Sequence, residues 1–191
     1  RTRLTAPASA GSLARTLGVA VQPYCMSSIQ VAPLPAGAFL ERYRAAGDYT
    51  DCYTVAFSGS ASLSEYMAAF YTTPVFKLER RLLSIFLRFP STDQEAKLLA
   101  QGEVNSFSAW RVESREARQA ILAAGRTRSW LMVSPHAAGS QTTNLFFGSA
   151  VLQRRRGGLG WAFSALLGFH KLYSRILLAS AVRRLSRTQK S

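Results

Sequence analysis

The sequence predicts an α+β fold in which an antiparallel, curved sheet wraps on a long C-terminal helix, with an extended N-terminal arm in front. Three observations carry this expectation. Segments rich in Val, Leu, Phe and Trp with partial alternation recur between 105 and 152, and Gly, Pro and Ser turns separate them. Residues 62–101 carry successive helix-start signals. Residues 159–187 hold apolar side chains at helical spacing with no proline among them.

Residues 1–44 read as the arm. They are rich in Ala, Ser, Pro and Gly, carry Arg1, Arg3 and Arg15, and hold no acid before Glu41. That is the composition of an organelle transit peptide or of the segment behind one, and a chain starting at Arg1 is expected of a processed protein. Residues 45–191 are the expected domain. It opens with a strand at 51–58 (DCYTVAFS), after which Gly59 and Ser60 turn the chain. Ser62 and Glu65 form a capping box, in which hydroxyl and carboxylate satisfy the free amides at the start of a helix over 62–72. Thr73-Pro74 starts a second helix over 74–89, with Pro where a missing N–H does no harm. Val75, Leu78, Leu82, Phe86 and Phe89 form its apolar face, and Lys77, Arg81, Ser84 and Arg88 its polar face, with Arg80 at the edge. Pro90 ends it. Ser91-Thr-Asp-Gln94 reads as a further capping box, opening a short helix to Gln101.

Residues 105–113, 127–133 and 143–152 then read as strands. Residues 116–124 have helical propensity, but the short distance between two strands makes them a hairpin partner, so a fourth strand is expected. Arg154-Arg155-Arg156-Gly157-Gly158 is a charged turn. In the last helix Trp161, Leu166, Phe169, Tyr173, Ile176 and Leu177 form the apolar face, and cations near its end suit the helix dipole.

Charge is unevenly spread. The chain has 24 basic against 10 acidic residues, for a net +14, and all but four of the basic residues are Arg. The last acid is Glu116, and twelve basic residues follow it. A stretch so free of acids points to an anionic partner such as lipid head groups, nucleic acid or an acidic protein surface; a plain solvated surface is the alternative. Hydrophobic residues make up 48%, enough for a core and too many for global disorder. No uncharged run reaches the ~20 clean apolar residues of a membrane-crossing helix. Cys25 and Cys52 fit neither C-x-x-C nor a metal-ligand spacing and are expected as free thiols.

No catalytic motif is present, so no catalytic residue, metal or cofactor is assigned. His136 and His170 read as turn and helix-surface residues. Glu103, Glu113 and Glu116 read as adjacent surface carboxylates. Trp110, Trp130, Phe147 and Trp161, with Arg111 and Arg128 as polar anchors, are candidates to line a ligand cavity; filling of an ordinary core is the competing reading. Arg154, Arg155, Arg156, Arg183, Arg184 and Arg187 are candidates to contact an anionic partner. Nucleic acid fits less well, because no RNA-recognition aromatic signature is present.

The segments DCYTVAF (51–57), FYTTPVFKLERRLL (70–83), FSAWRVESR (107–115), GRTRSWLMV (125–133), LFFGSAV (145–151) and LLGFHKLYSR (166–175) resemble the DUF2867-type group of bacterial proteins. That group belongs to the START/Bet v 1-like, polyketide cyclase-like superfamily. The resemblance spans about 45–187 and implies a helix-grip fold, often with an apolar cavity between sheet and last helix. It implies no catalytic residues. With the transit-like arm and the Arg excess, the expectation is a non-catalytic accessory subunit of a mitochondrial, membrane-associated assembly of the respiratory-complex or ATP-synthase type. The arm and the basic C-terminal third would contact other subunits or anionic lipid. Alternatives are a soluble carrier of a lipid or other hydrophobic ligand, a cyclase- or isomerase-like enzyme, and a mitochondrial ribosomal subunit.

Overall fold

The computed structural model describes residues 28–87, 91–136, 141–152 and 161–189, with side chains left out at 79, 82–87 and 161–170. The elements run β1 (Gln30–Val31), α1 (Glu41–Ala45), β2 (Tyr49–Ser58), α2 (Leu63–Tyr71), α3 (Pro74–Leu87), α4 (Asp93–Gln101), β3 (Ser106–Phe107), β4 (Trp110–Arg115), β5 (Gln119–Ala124), β6 (Thr127–Pro135), β7 (Thr142–Val151) and α5 (Trp161–Thr188). The seven strands form one antiparallel sheet in the order β1-β2-β7-β6-β5-β4-β3. This is the expected α+β, helix-grip arrangement of a curved open sheet and a C-terminal helix. Helices α2–α4 carry the chain from β2 across to β3 at the far edge, and the meander then brings β7 back onto β2.

Local chemistry explains the boundaries. Ser62 Oγ accepts from Glu65 N while the Glu65 carboxylate accepts from Ser62 N, at 3.2 and 2.8 Å. The box before α4 sits one residue later than expected: Thr92 is the cap and Glu95 its partner. Thr73 Oγ1 accepts from Phe76 N at the start of α3. Gly102, at φ +87°, ends α4 with Gly102 N donating to Leu99 O and Glu103 N to Leu98 O, a geometry that favours glycine. Both edge strands are only two residues long, which limits strand-to-strand association.

The sheet is covered on both faces. On its concave face Tyr53, Val55, Phe57, Leu122, Leu131, Leu145 and Phe147 pack against α2, α4 and the last half of α5, through Tyr66, Phe70, Leu99, Leu178 and Leu185 among others. On the opposite face Cys52, Ile121, Trp130 and Ala150 pack beneath Ala38 and Leu40. Residues 30–44 are therefore part of the domain and not an extended arm. Gln30 and Val31 pair with β2, and Leu40 is completely buried. Phe39 N donates to Gln119 Oε1, and Gln119 Nε2 donates to Gly37 O, at 3.1 and 3.0 Å. The Pro and Gly content that suggested an arm supplies turns instead. Residues 1–27, with Arg1, Arg3, Arg15 and Cys25, lie outside the described residues.

Two side chains depart from the expected helix faces. Leu78 of α3 is exposed, whereas Arg80 is buried, its guanidinium 2.9 Å from Asp93 and over the Phe107 ring. Ile176 of α5 is also exposed, while Leu177 is buried.

Candidate ligand cavity

Strand register builds the site. On the concave face the rows Val55-Leu145-Val133 and Tyr53-Phe147-Leu131 are apolar, and the next row is Asp51-Ser149-Ser129. One row further is Tyr49-Val151-Thr127. Polarity therefore changes abruptly toward one end of the sheet, along strands whose side chains alternate between faces. A cavity of about 130 Å³ lies there, between sheet and α5. Phe70, Phe76, Trp110 and Phe147 wall one part of it; Thr127, Ser129, Ser149 and Ser174 bring hydroxyls to it. The aromatic wall is tightly set: Phe76 and Trp110 ring centres are 4.8 Å apart, and Phe70 and Phe147 are 4.9 Å apart.

Ser149 is fixed by Asp51, whose Oδ1 accepts from Ser149 N at 3.0 Å and from Ser149 Oγ at 2.7 Å. Asp51 Oδ2 accepts from Tyr49 OH at 3.3 Å. Ser174 differs. It is fully buried on α5, and its Oγ has no hydrogen-bond partner among the described residues. Asp51 also borders an outer cleft of about 470 Å³ lined by Val31, Leu34, Tyr53, Lys171 and Arg175 among others, so the Asp51–Ser149 pair is a wall shared by cleft and cavity. Burial, and then the Asp51 charge, raise the Tyr53 phenol to about 12. The same two causes raise the Cys52 thiol to about 12, so this buried cysteine is a protonated packing residue at neutral pH.

Trp110 and Phe147 of the sequence candidates line the cavity. Trp130 does not: it lies on the opposite face, fully buried, with Nε1 donating to Gln119 Oε1 at 3.0 Å. Strand alternation puts 129 and 131 toward the cavity and 130 away from it. Arg111 is likewise excluded, as an exposed residue paired with Ala123 on the outer face. Arg128 borders the cavity, but its guanidinium is turned outward, where Nε donates to Tyr43 OH and pairs with Glu113. The Trp161 side chain and residues 154–156 lie outside what is described. Arg183, Arg184 and Arg187 do come together, around a groove of about 470 Å³ between the last turns of α5 and Pro74 of α3.

Sequence reasoning missed Asp51, Ser129, Ser149 and Ser174. Each is an ordinary residue in its own segment; inter-strand register assembles the first three, and the packing of α5 on the sheet adds Ser174. Of the carboxylates read as adjacent on the surface, Glu113 pairs with Arg42 and Arg128 and accepts from Tyr43, and Glu116 accepts from Gln119. His136 is exposed, with Nδ1 2.9 Å from Asn144 Oδ1. Among the described residues no group of three His, Cys, Asp or Glu is placed to hold a metal.

Fold and cavity together define a helix-grip-like domain with a small, half-polar interior space. No family model, curated protein or solved structure matches the chain.

Proposed function

We propose that this domain binds a small, mostly apolar ligand bearing a polar group, as a carrier or sensor. The observation that supports the reading is Ser174. A buried hydroxyl without a partner costs about 1–3 kcal/mol, and native structures satisfy such groups with water or ligand. Here it faces a space of about 130 Å³ with aromatic walls. An engineered apolar cavity of ~150 Å³ takes up benzene, so a single-ring ligand is the matching size class. The aromatic wall would receive the ring, and the hydroxyls of Ser129 and Ser174 would hydrogen-bond its polar group. The Asp51–Ser149 pair would orient that group from the cleft side.

The test uses p-cresol as the probe, with NMR titration of the intact protein. The expected result is saturable shifts confined to Phe70, Phe76, Trp110 and Phe147. Ser129→Leu fills the space and abolishes them, with the spectrum elsewhere intact. Benzene and toluene should bind at least tenfold more weakly, because they leave the hydroxyls unpaired. Absence of saturable shifts, or shifts unchanged in Ser129→Leu, means that p-cresol does not occupy the cavity, and the reading fails.

A further inference from the structure

The outer pole of α5 carries apolar side chains that the fold does not need. Leu177, Leu178, Ala181 and Leu185 are buried and define the inner pole of the helix. At 100° per residue, Leu172, Ile176, Ala179 and Arg183 fall on the opposite side. Leu172 is 58% and Ile176 41% exposed. They stand one turn apart, so they form one apolar ridge. Arg183 and Arg187 are exposed on and around this pole, and the exposed Lys171 and Arg175 lie on its flank, bordering the cleft beside Asp51, with Arg175 over the Tyr53 ring. At its far end Arg183, Arg184 and Arg187 surround the groove beside Pro74, with the hydroxyl residues Ser180 and Thr188 in its lining. One turn along α3 from Pro74 is Leu78, 59% exposed. No acidic residue follows Glu116 in the chain.

We infer that this face is a docking surface for an anionic lipid bilayer. Charge complementarity selects the occupant. A second copy would set Arg against Arg. Residues 1–27 would do the same, since they carry Arg1, Arg3 and Arg15 and no acid. An apolar ridge flanked by long cationic side chains suits a bilayer surface. Leu172 and Ile176 enter the head-group boundary, while Lys and Arg stems lie along it and place their charges on lipid phosphates. The arginine groove offers bidentate donors to one such phosphate. No helix among the described residues is long and apolar enough to cross a membrane, and the contact inferred is with the bilayer surface. The inference is independent of the cavity's ligand.

Flotation of the intact protein with phosphatidylcholine vesicles, with and without a third of phosphatidylglycerol, tests it. Binding is expected only to the anionic vesicles, and it should fall steeply between low and physiological salt. Leu172→Glu combined with Ile176→Glu should abolish binding with the melting temperature unchanged, because both side chains are exposed. Arg183→Gln and Arg187→Gln should each weaken it about fivefold, and Lys97→Gln on α4 should not. The inference is overturned if no vesicle binds, if neutral and anionic vesicles bind alike, or if the Leu172/Ile176 double variant binds as well as wild type. Binding to duplex RNA without binding to vesicles also overturns it, and assigns the cations to nucleic acid.

Discussion

Glu113 shows how one position changes meaning when register is known. In the sequence it is one of several acids in a strand segment. In the fold it lies two residues past Arg111, on the outer face by strand alternation, at a β-bulge between Val112 and Ser114. There it accepts from Tyr43 and pairs with Arg42 and Arg128. Partial burial alone would raise its pKa; the Tyr43 hydrogen bond and the two guanidinium charges outweigh this and lower it. Asp93 follows the same pattern: desolvation opposes ionisation, and Lys77 and Arg80 overcome it. A carboxyl whose folded pKa is depressed stabilises the fold above its unfolded value, about 4 for these groups, and loses that contribution as pH falls through the folded value. Glu113→Gln is therefore expected to cost roughly 1 kcal/mol at pH 7, a figure discounted for solvent screening. At pH 2–3 the cost should shrink toward zero. Urea midpoints of both proteins at the two pH values check this, and a cost independent of pH would show that the ion pairs contribute nothing. No local sequence pattern brings Arg42, Tyr43 and Arg128 to Glu113, whereas the Ser62–Glu65 capping box was legible because its partners are three residues apart.

At the scale of elements, helices α2–α5, strand β2 and the four main strands of the meander were readable, because caps and apolar spacing are local signals. The misses came from tertiary placement. Spacing assigns Leu78 to the apolar face of α3, yet α3 buries Phe76 and Arg80 instead, the latter drawn in by Asp93 and Phe107. Strand β1 and the short helix α1 were missed because two- and five-residue elements carry no periodicity. Which face Trp110 or Trp130 occupies depends on register across four strands. The β2–β7 ladder also contains a position that a sequence reader passes over. A Cβ on Gly148 would sit 2.6 Å from Asp51 O, 2.6 Å from Leu40 Cδ1 and 3.1 Å from Trp130 Cε3. Backbone cannot give way without breaking the ladder, so Gly148→Ala should destabilise by about 1–3 kcal/mol, the range for overpacking. Chemical denaturation measures it. Because Asp51 positions Ser149, the same substitution should weaken p-cresol binding, and a variant with unchanged stability would mean that Leu40 and β2 shift freely.

At the scale of the molecule the sheet is the middle of three layers, and this decides where the domain starts. A boundary at 45 follows from composition, since residues 28–44 contain two prolines and few regular patterns. Physically that boundary is untenable. Removing residues 1–44 strips Ala38 and Leu40 from Cys52, Ile121 and Trp130, which are at most 3% exposed in the intact fold. It also removes the bonds from Phe39 N and to Gly37 O that hold Gln119, on which the buried Trp130 Nε1 depends. An exposed patch of this kind on a sheet face is an aggregation site. A chain beginning at Ala45 should therefore be insoluble or lack cooperative unfolding, whereas one beginning at Ser28 keeps every one of these contacts. Leu40→Ala isolates the packing contribution in the full chain, with an expected loss of about 2–5 kcal/mol for a fully buried leucine. Near-ultraviolet circular dichroism of the tryptophans and urea unfolding read all three. If the chain beginning at Ala45 unfolds cooperatively with wild-type stability, the outer layer is dispensable. If it fails while Leu40→Ala behaves as expected, residues 28–44 are the third layer of the fold, and the concave cavity is formed by a sheet stiffened from behind.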